Sequence, residues 1–170
     1  VVDVVGGAVQ GGDDPPGPAA ASALAALFAE NAVIGPGGDE VVHIVNRLAH
    51  GFKHVVLTQD WHPAGHSSFA SSHPGKQAFT IVDMPYGPQT LWPDHCIQNT
   101  EGAAFRGDLD IPHAELIVRK GFRSAIDSYS AFFENDHKTP TGLGGYLKER
   151  GFEKLVCVGL AFDFCVRYSA

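Results

Sequence analysis

The chain has 170 residues, 44% of them hydrophobic and 18% charged, enough apolar surface for one domain with its own core and too short for two ordinary ones. Twelve Lys and Arg against nineteen Asp and Glu give a formal charge of −7, which argues against a nucleic-acid or anionic-membrane partner. There is no apolar run of the ~20 residues a bilayer span needs and no signal-peptide pattern, and three widely spaced cysteines fit reduced thiols in a cytoplasm better than a disulfide framework.

In chain order, Val1–Val5 reads as a buried strand with an acid, Asp3, in its middle. The Gly/Pro/Asp-rich stretch from Gly6 to Pro18 reads as a loop, and Ala- and Leu-rich Ala19–Glu30 as a helix by propensity. Asp39 can cap a second helix, whose Val41, Val45, Leu48 and Ala49 share a face and which Gly51 stops. Val55–Leu57 is a continuous apolar run, as in a parallel strand covered on both faces. From Gln59 to Thr100 the chain is aromatic and rich in His and Pro, with one short strand expected at Phe79–Ile81. Such a long stretch with little regular structure is usually functional or disordered, and its Trp, Phe and His content argues against disorder. Leu116–Val118 reads as a strand ending at Lys120-Gly121, Thr141–Arg150 as a helix, Leu155–Leu160 as a strand and Asp163–Ala170 as a last helix. Strands alternating with helices predict a mainly parallel sheet covered on both faces, with ligands beyond the carboxyl ends of its strands. Asp60, Lys120 and Cys165 fall at or just past such ends.

Asp60-Trp61-His62-Pro63-Ala64-Gly65-His66 follows a strand directly. Residues two apart in an extended segment face the same way, so Asp60 and His62 can converge on one ion, and Pro63-Ala64-Gly65 can bring His66 back. His95, in the Trp/Pro-rich segment Leu91–Cys96, is the expected fourth ligand. An isolated Asp-x-His is more often a pair of exposed loop residues; a second and a third histidine in such loops shift the reading to a divalent metal. Carboxylate and imidazole suit Zn²⁺, Fe²⁺ or Mn²⁺. His43, His50, His54 and His73 read as solvated or surface residues.

Cys165 stands near a predicted helix start after a strand and tight turn, where the helix dipole and backbone N–H groups favour a thiolate and an oxyanion. The bland alternative is a small buried hydrophobe, which suits Cys157 well and Cys96 in part. Asp3 and Lys120 are unusual charges at sheet positions, and buried charges are rare unless paired.

Together these residues resemble the nicotinamidase/pyrazinamidase family of isochorismatase-like hydrolases. The resemblance is carried by Val1-Val2-Asp3-Val4, Pro36–Glu40, Thr58–Pro63 with His66 and Ser68-Phe69, and Leu91–Cys96 with Thr100–Ala103. Lys120-Gly121 with Asp127–Phe132, and Gly159–Ala161 through Cys165–Arg167, complete it. It implies a three-layer α/β/α fold of one domain over 1–170, with an insertion at about 6–34 and without the family's closing helix–strand–helix. It implies Cys165 as nucleophile, Asp3 as general base, Lys120 as the assisting cation, and a metal, zinc first, on Asp60, His62 and His95, with His66 a ligand in some relatives and a near neighbour in others. It also implies a cis Leu160–Ala161 peptide aiming the Ala161 and Cys165 N–H groups at an oxyanion, and Trp92 against the substrate ring. The activity implied is hydrolysis of nicotinamide, and of pyrazinamide, to the acid and ammonia in NAD salvage. Its partners would be a small-molecule substrate and, in an assembly, copies of itself, with neither nucleic acid nor membrane. Another cysteine amidohydrolase of the superfamily and a non-catalytic metal-binding remnant are the alternatives. The family's ring-packing Phe after the first strand has no counterpart in Val5-Gly6-Gly7-Ala8, so that wall must come from elsewhere.

Overall fold

A computed structural model describes residues 4–5, 21–27 and 38–170. In chain order its elements are β1 (Val4–Val5), β2 (Ala21–Leu27), α1 (Val41–Ala49), β3 (Val55–Asp60), β4 (Ile81–Met84), β5 (Gly87–Thr90), β6 (Ala114–Lys120), α2 (Leu143–Glu149) and β7 (Phe152–Cys157). A helical segment, Phe162–Val166, then runs into the short α3 (Arg167–Ser169).

All six residues of β3 are buried, because neighbours cover both its faces. Side chains alternate across a strand, so Val55 and Leu57 join Val42, Val45 and Ala49 of α1 with Phe52 and Ile111. Val56 faces the other way, into a core with Val118, Ala131 and the α2 residues Leu143 and Leu147. Two helices thus cover opposite faces of one sheet, the three layers the sequence predicts. Each fully buried Leu or Val contributes about 1.5–3 kcal/mol. In the sheet β3 lies between β6 and β2, parallel to both, and β7 is parallel to β2. No helix among the described residues is long and apolar enough to cross a membrane.

Several elements differ from expectation. Ala21–Leu27, within the predicted helix Ala19–Glu30, is a strand paired with both β3 and β7. Alanine's helix preference is a fraction of a kcal/mol per residue, and a strand position that satisfies backbone groups against two neighbours outweighs it. Val4–Val5 is a strand as predicted but runs antiparallel to β2; Val1–Asp3 and Gly6–Pro18 lie outside the described residues. On α1 the buried face is Val42, Val45 and Ala49, while Leu48 is 40% exposed. A single turn, Gly38–Glu40, leads into α1, and Glu40 rather than Asp39 is the capping residue, without a side-chain hydrogen bond. The single strand expected at Phe79–Ile81 is instead the hairpin β4–β5, with Phe79 just before it at φ 68°. β7 ends at Cys157, short of Leu160, and its Leu155 is 38% exposed.

Candidate active site

Asp60 and Lys120 are register partners at the carboxyl ends of β3 and β6. Parallel pairing sets two charged residues side by side where the sheet opens, and neither is exposed by more than a few per cent. Lys120 Nζ lies 2.5 Å from Asp60 Oδ1 and donates to the Ser128 carbonyl at 2.9 Å. Burial alone would raise the Asp60 carboxyl; the Lys120 ammonium, with His62, holds it below the usual carboxylate range. Lys120 Nζ also stands 3.5 Å from Cys165 Sγ. The chain reaches Cys165 through a cis Leu160–Ala161 peptide, and the Ala161 carbonyl accepts the N–H groups of Phe164 and Val166, winding the helical segment that carries the thiol. Cys165 is thus buried, but against a cation and the wall of a cavity rather than in an apolar core. That cavity has a volume of about 570 Å³ and is also lined by Asp60, His62, His95 and Lys120.

The four predicted metal ligands fall in two neighbouring groups. Donor atoms of Asp60, His95 and Cys96 lie within 4.8 Å of one another, as do those of His62, His66 and Asp127. The His62 ring centroid is 4.7 Å from those of both His66 and His95. Hydrogen bonds decide which nitrogens can ligate, because carbonyls and carboxylates only accept. His95 Nδ1 donates to the Pro93 carbonyl at 2.8 Å, leaving Nε2 with its lone pair. Burial and the nearby His62 push His95 down to about 4, so its ring is neutral at pH 7. His62 Nε2 donates to Asp127 Oδ1 at 3.0 Å, and among the described residues no hydrogen-bond partner reaches the buried His62 Nδ1. His66, predicted as a ligand, spends both nitrogens on the protein. Its Nε2 donates to the carbonyls of Arg123 and Ile126 at 2.9 and 3.2 Å, and its Nδ1 accepts the Ser68 N–H at 3.1 Å. Cys96 is buried and its thiol is pushed up to about 12 by that burial, which keeps it a neutral S–H. One carboxylate and two imidazole lone pairs, Asp60, His62 and His95, fit a divalent metal.

Aromatic rings form the rest of the cavity wall. Trp92 meets Phe164 edge-on at 4.8 Å and Tyr129 at 6.1 Å, while Phe79 stands 6.0 Å from Trp92. Phe164, Tyr129 and Phe79 thus give the cavity an aromatic surface together with Trp92. Asp3 lies outside the described residues. Sequence reasoning assigned nothing to Asp127, Tyr129, Phe164 or Gln89. Asp127 and Tyr129 stand in a stretch that carried the resemblance, and Phe164 adjoins Cys165; Gln89 has no signal in the sequence at all.

A cysteine, a lysine and a carboxylate at the carboxyl ends of a parallel sheet define a candidate hydrolytic centre, and this centre lies within residues 26–170, which match the isochorismatase domain. The chain belongs to the isochorismatase family. Over 134 residues it is 54% identical to the nicotinamidase of Acinetobacter baylyi, covering 79% of this chain and 63% of that protein. The chain thus spans a little under two thirds of that relative's length. Among solved structures, an Acinetobacter baumanii nicotinamidase/pyrazinamidase is 51% identical and superimposes with a TM-score of 0.80, over 85% of this chain and 72% of that one. The Pyrococcus horikoshii pyrazinamidase in complex with zinc is 28% identical, with a TM-score of 0.61 over 85% of this chain and 73% of that one.

Proposed function

We propose that this chain carries the catalytic centre of a nicotinamidase, which hydrolyses nicotinamide, and pyrazinamide as a close analogue, to the ring acid and ammonia. The observation that carries the reading is the Cys165 thiol 3.5 Å from the Lys120 ammonium on the wall of an aromatic-lined cavity. The 54% identity to a nicotinamidase supports the substrate. The same reading places the chain in NAD salvage in the cytoplasm.

The ammonium beside the sulfur favours thiolate over thiol. The thiolate attacks the carboxamide carbon, and the carbonyl oxygen takes the negative charge in reach of the Ala161 and Cys165 N–H groups. The C–N bond breaks, and ammonia leaves with a proton carried by Asp3, a role that rests on the resemblance of its sequence segment. Water then attacks the thioester, the C–S bond breaks, and the acid departs as the thiolate is restored. Trp92, Phe164 and Tyr129 offer ring edges and faces that hold a flat heteroaromatic substrate and exclude water. Asp60, His62 and His95 would hold a divalent metal, zinc by its donor set and by the zinc-bound relative, and the metal would supply a Lewis-acidic anchor beside the substrate. His66 then serves the site by packing against His62.

Ammonia release from nicotinamide tests the proposal. The wild-type chain is expected to release it, and Cys165→Ala to lose activity by roughly a thousandfold or more with an unchanged melting temperature. A folded, zinc-loaded wild type that hydrolyses a different amide but neither nicotinamide nor pyrazinamide would make it another cysteine amidohydrolase. One that hydrolyses no amide would make it a binding protein.

A further inference from the structure

Asp127 is 3% exposed and carries no role in the chemistry above. A carboxylate this deep is costly unless its oxygens are occupied, and here Oδ1 is. Oδ1 accepts His62 Nε2–H at 3.0 Å and the Ser128 N–H at 2.8 Å, while Gln89 Nε2 approaches Oδ2 at 3.5 Å. The same Gln89 nitrogen donates to the Tyr129 hydroxyl at 2.7 Å, and that hydroxyl also accepts Trp92 Nε1–H at 3.2 Å. The other Gln89 N–H goes to the Thr90 carbonyl at 2.7 Å, so Gln89, Tyr129 and Trp92 form a hydrogen-bonded row that ends beside Asp127 rather than on it. Asp127, Tyr129 and Trp92 all line the cavity, Tyr129 and Trp92 half-buried.

An ionised carboxylate only accepts, so Asp127 obliges the His62 ring to carry its proton on Nε2. In a neutral ring the lone pair then sits on Nδ1, the buried nitrogen that no hydrogen-bond partner reaches among the described residues. A carboxylate behind an imidazole also makes it a stronger donor to a metal. A competing arrangement would make Asp127 itself a ligand together with His62 and His66, since their donor atoms also cluster. The hydrogen bonds argue against it: His66 has both nitrogens committed and Asp127 Oδ1 already accepts twice.

We propose that Asp127 is a positioning residue, which fixes His62 as the Nε2–H tautomer and so leaves Nδ1 as the nitrogen free to bind a metal. The inference rests on the metal reading of Asp60, His62 and His95 given above. It separates two duties that the sequence leaves fused: His62 binds, and Asp127 decides with which nitrogen.

The tautomer is read directly on the wild-type chain by ¹⁵N NMR of its histidine rings, first with chelator and then with one equivalent of zinc. The expected result is a His62 ring protonated on Nε2 in both states, with the zinc-dependent shift on Nδ1. Protonation on Nδ1, or a zinc-dependent shift on Nε2, would overturn the inference and favour Asp127 as a ligand. Zinc affinity is measured in parallel by competition with a chromophoric chelator. Asp127→Asn keeps the shape and removes the charge, and is expected to weaken zinc binding by about 10- to 100-fold at a temperature where its far-UV circular dichroism shows it folded in chelator. Equal zinc affinity in wild type and Asp127→Asn overturns the positioning role alone. Absence of zinc binding by the wild type overturns the metal reading and this inference with it, while ammonia release still reports separately on the amidase.

Discussion

Gly121 sits at the tightest point behind the candidate ligands. Its φ is +63°, a left-handed conformation costly for a residue with a Cβ. A Cβ built there would stand 2.6 Å from His62 Nε2 and 3.3 Å from Asp127 Oδ1. Only the missing side chain lets β6 end, turn and leave room for the His62–Asp127 hydrogen bond. Gly121→Ala therefore combines backbone strain with a ring pushed off its partner. It is expected to destabilise the fold by about 1–3 kcal/mol, read as a lower urea midpoint, and to weaken zinc binding in the same direction as Asp127→Asn. A variant with unaltered midpoint and unaltered zinc affinity would show that the close approach is not needed. At this scale the charged and thiol residues that line the cavity were legible, because Asp, His, Cys and Lys at strand ends are uncommon there. The groups behind them were not. Asp127 and Gln89 act through contacts with residues 65 and 40 positions away, and no local pattern encodes such partners.

Elements were legible where burial and propensity agree. The alternating cores on β3 follow from a short apolar run, and α2 from its position before Gly151. They were misread where tertiary pairing opposes local preference, as in Ala21–Leu27, or where turn residues mask strands, as in the β4–β5 hairpin with its Pro88. That hairpin matters for the site because it delivers Gln89, fully buried, into the hydrogen-bonded row with Tyr129 and Trp92 beside Asp127. Gln89 also accepts from Asn135 Nδ2 at 2.9 Å, so the hairpin is bolted to the loop after β6. Gln89→Ala leaves the Asn135 amide without this acceptor and the Tyr129 hydroxyl without one of its donors, at half-buried positions. A loss of about 1–3 kcal/mol is expected. Because Trp92 and Tyr129 line the substrate wall while Cys165 and Lys120 stay in place, KM for nicotinamide should rise more than kcat falls. Steady-state kinetics decide this: a drop confined to kcat would place the effect on the nucleophile instead.

Across the described residues, buried groups that line or adjoin the cavity make the fold sensitive to acid. His66 and His95 are held below their ordinary values, His95 at about 4, first by burial. Asp60 and Asp127 are buried yet kept below the ordinary carboxylate range, Asp60 by Lys120 and then His62, and Asp127 by the charge and hydrogen bond of His62. In all four the unfolded chain binds protons that the folded one refuses, so stability rises with pH across each interval and falls on acidification. For the histidines the folded pKa is depressed below about 6.5. Their contribution is complete above that value and is lost as pH falls from there toward about 4 for His95. For the aspartates the loss begins below about 4 and continues downward. Metal-free protein should therefore show a urea midpoint that is flat above neutrality, declines from about pH 6.5 and falls more steeply below about pH 4, a total of several kcal/mol in order of magnitude. His95→Gln keeps a polar ring-sized group without the titration, and should flatten the upper part of that decline while leaving the lower part intact. Urea unfolding in chelator at pH 7.5, 5.5, 4.5 and 3.5 checks both limbs. A midpoint that holds steady or rises between pH 6.5 and 4.5 would mean that His95 is not held neutral in the folded chain, and would remove the lone pair on which the proposed metal site depends.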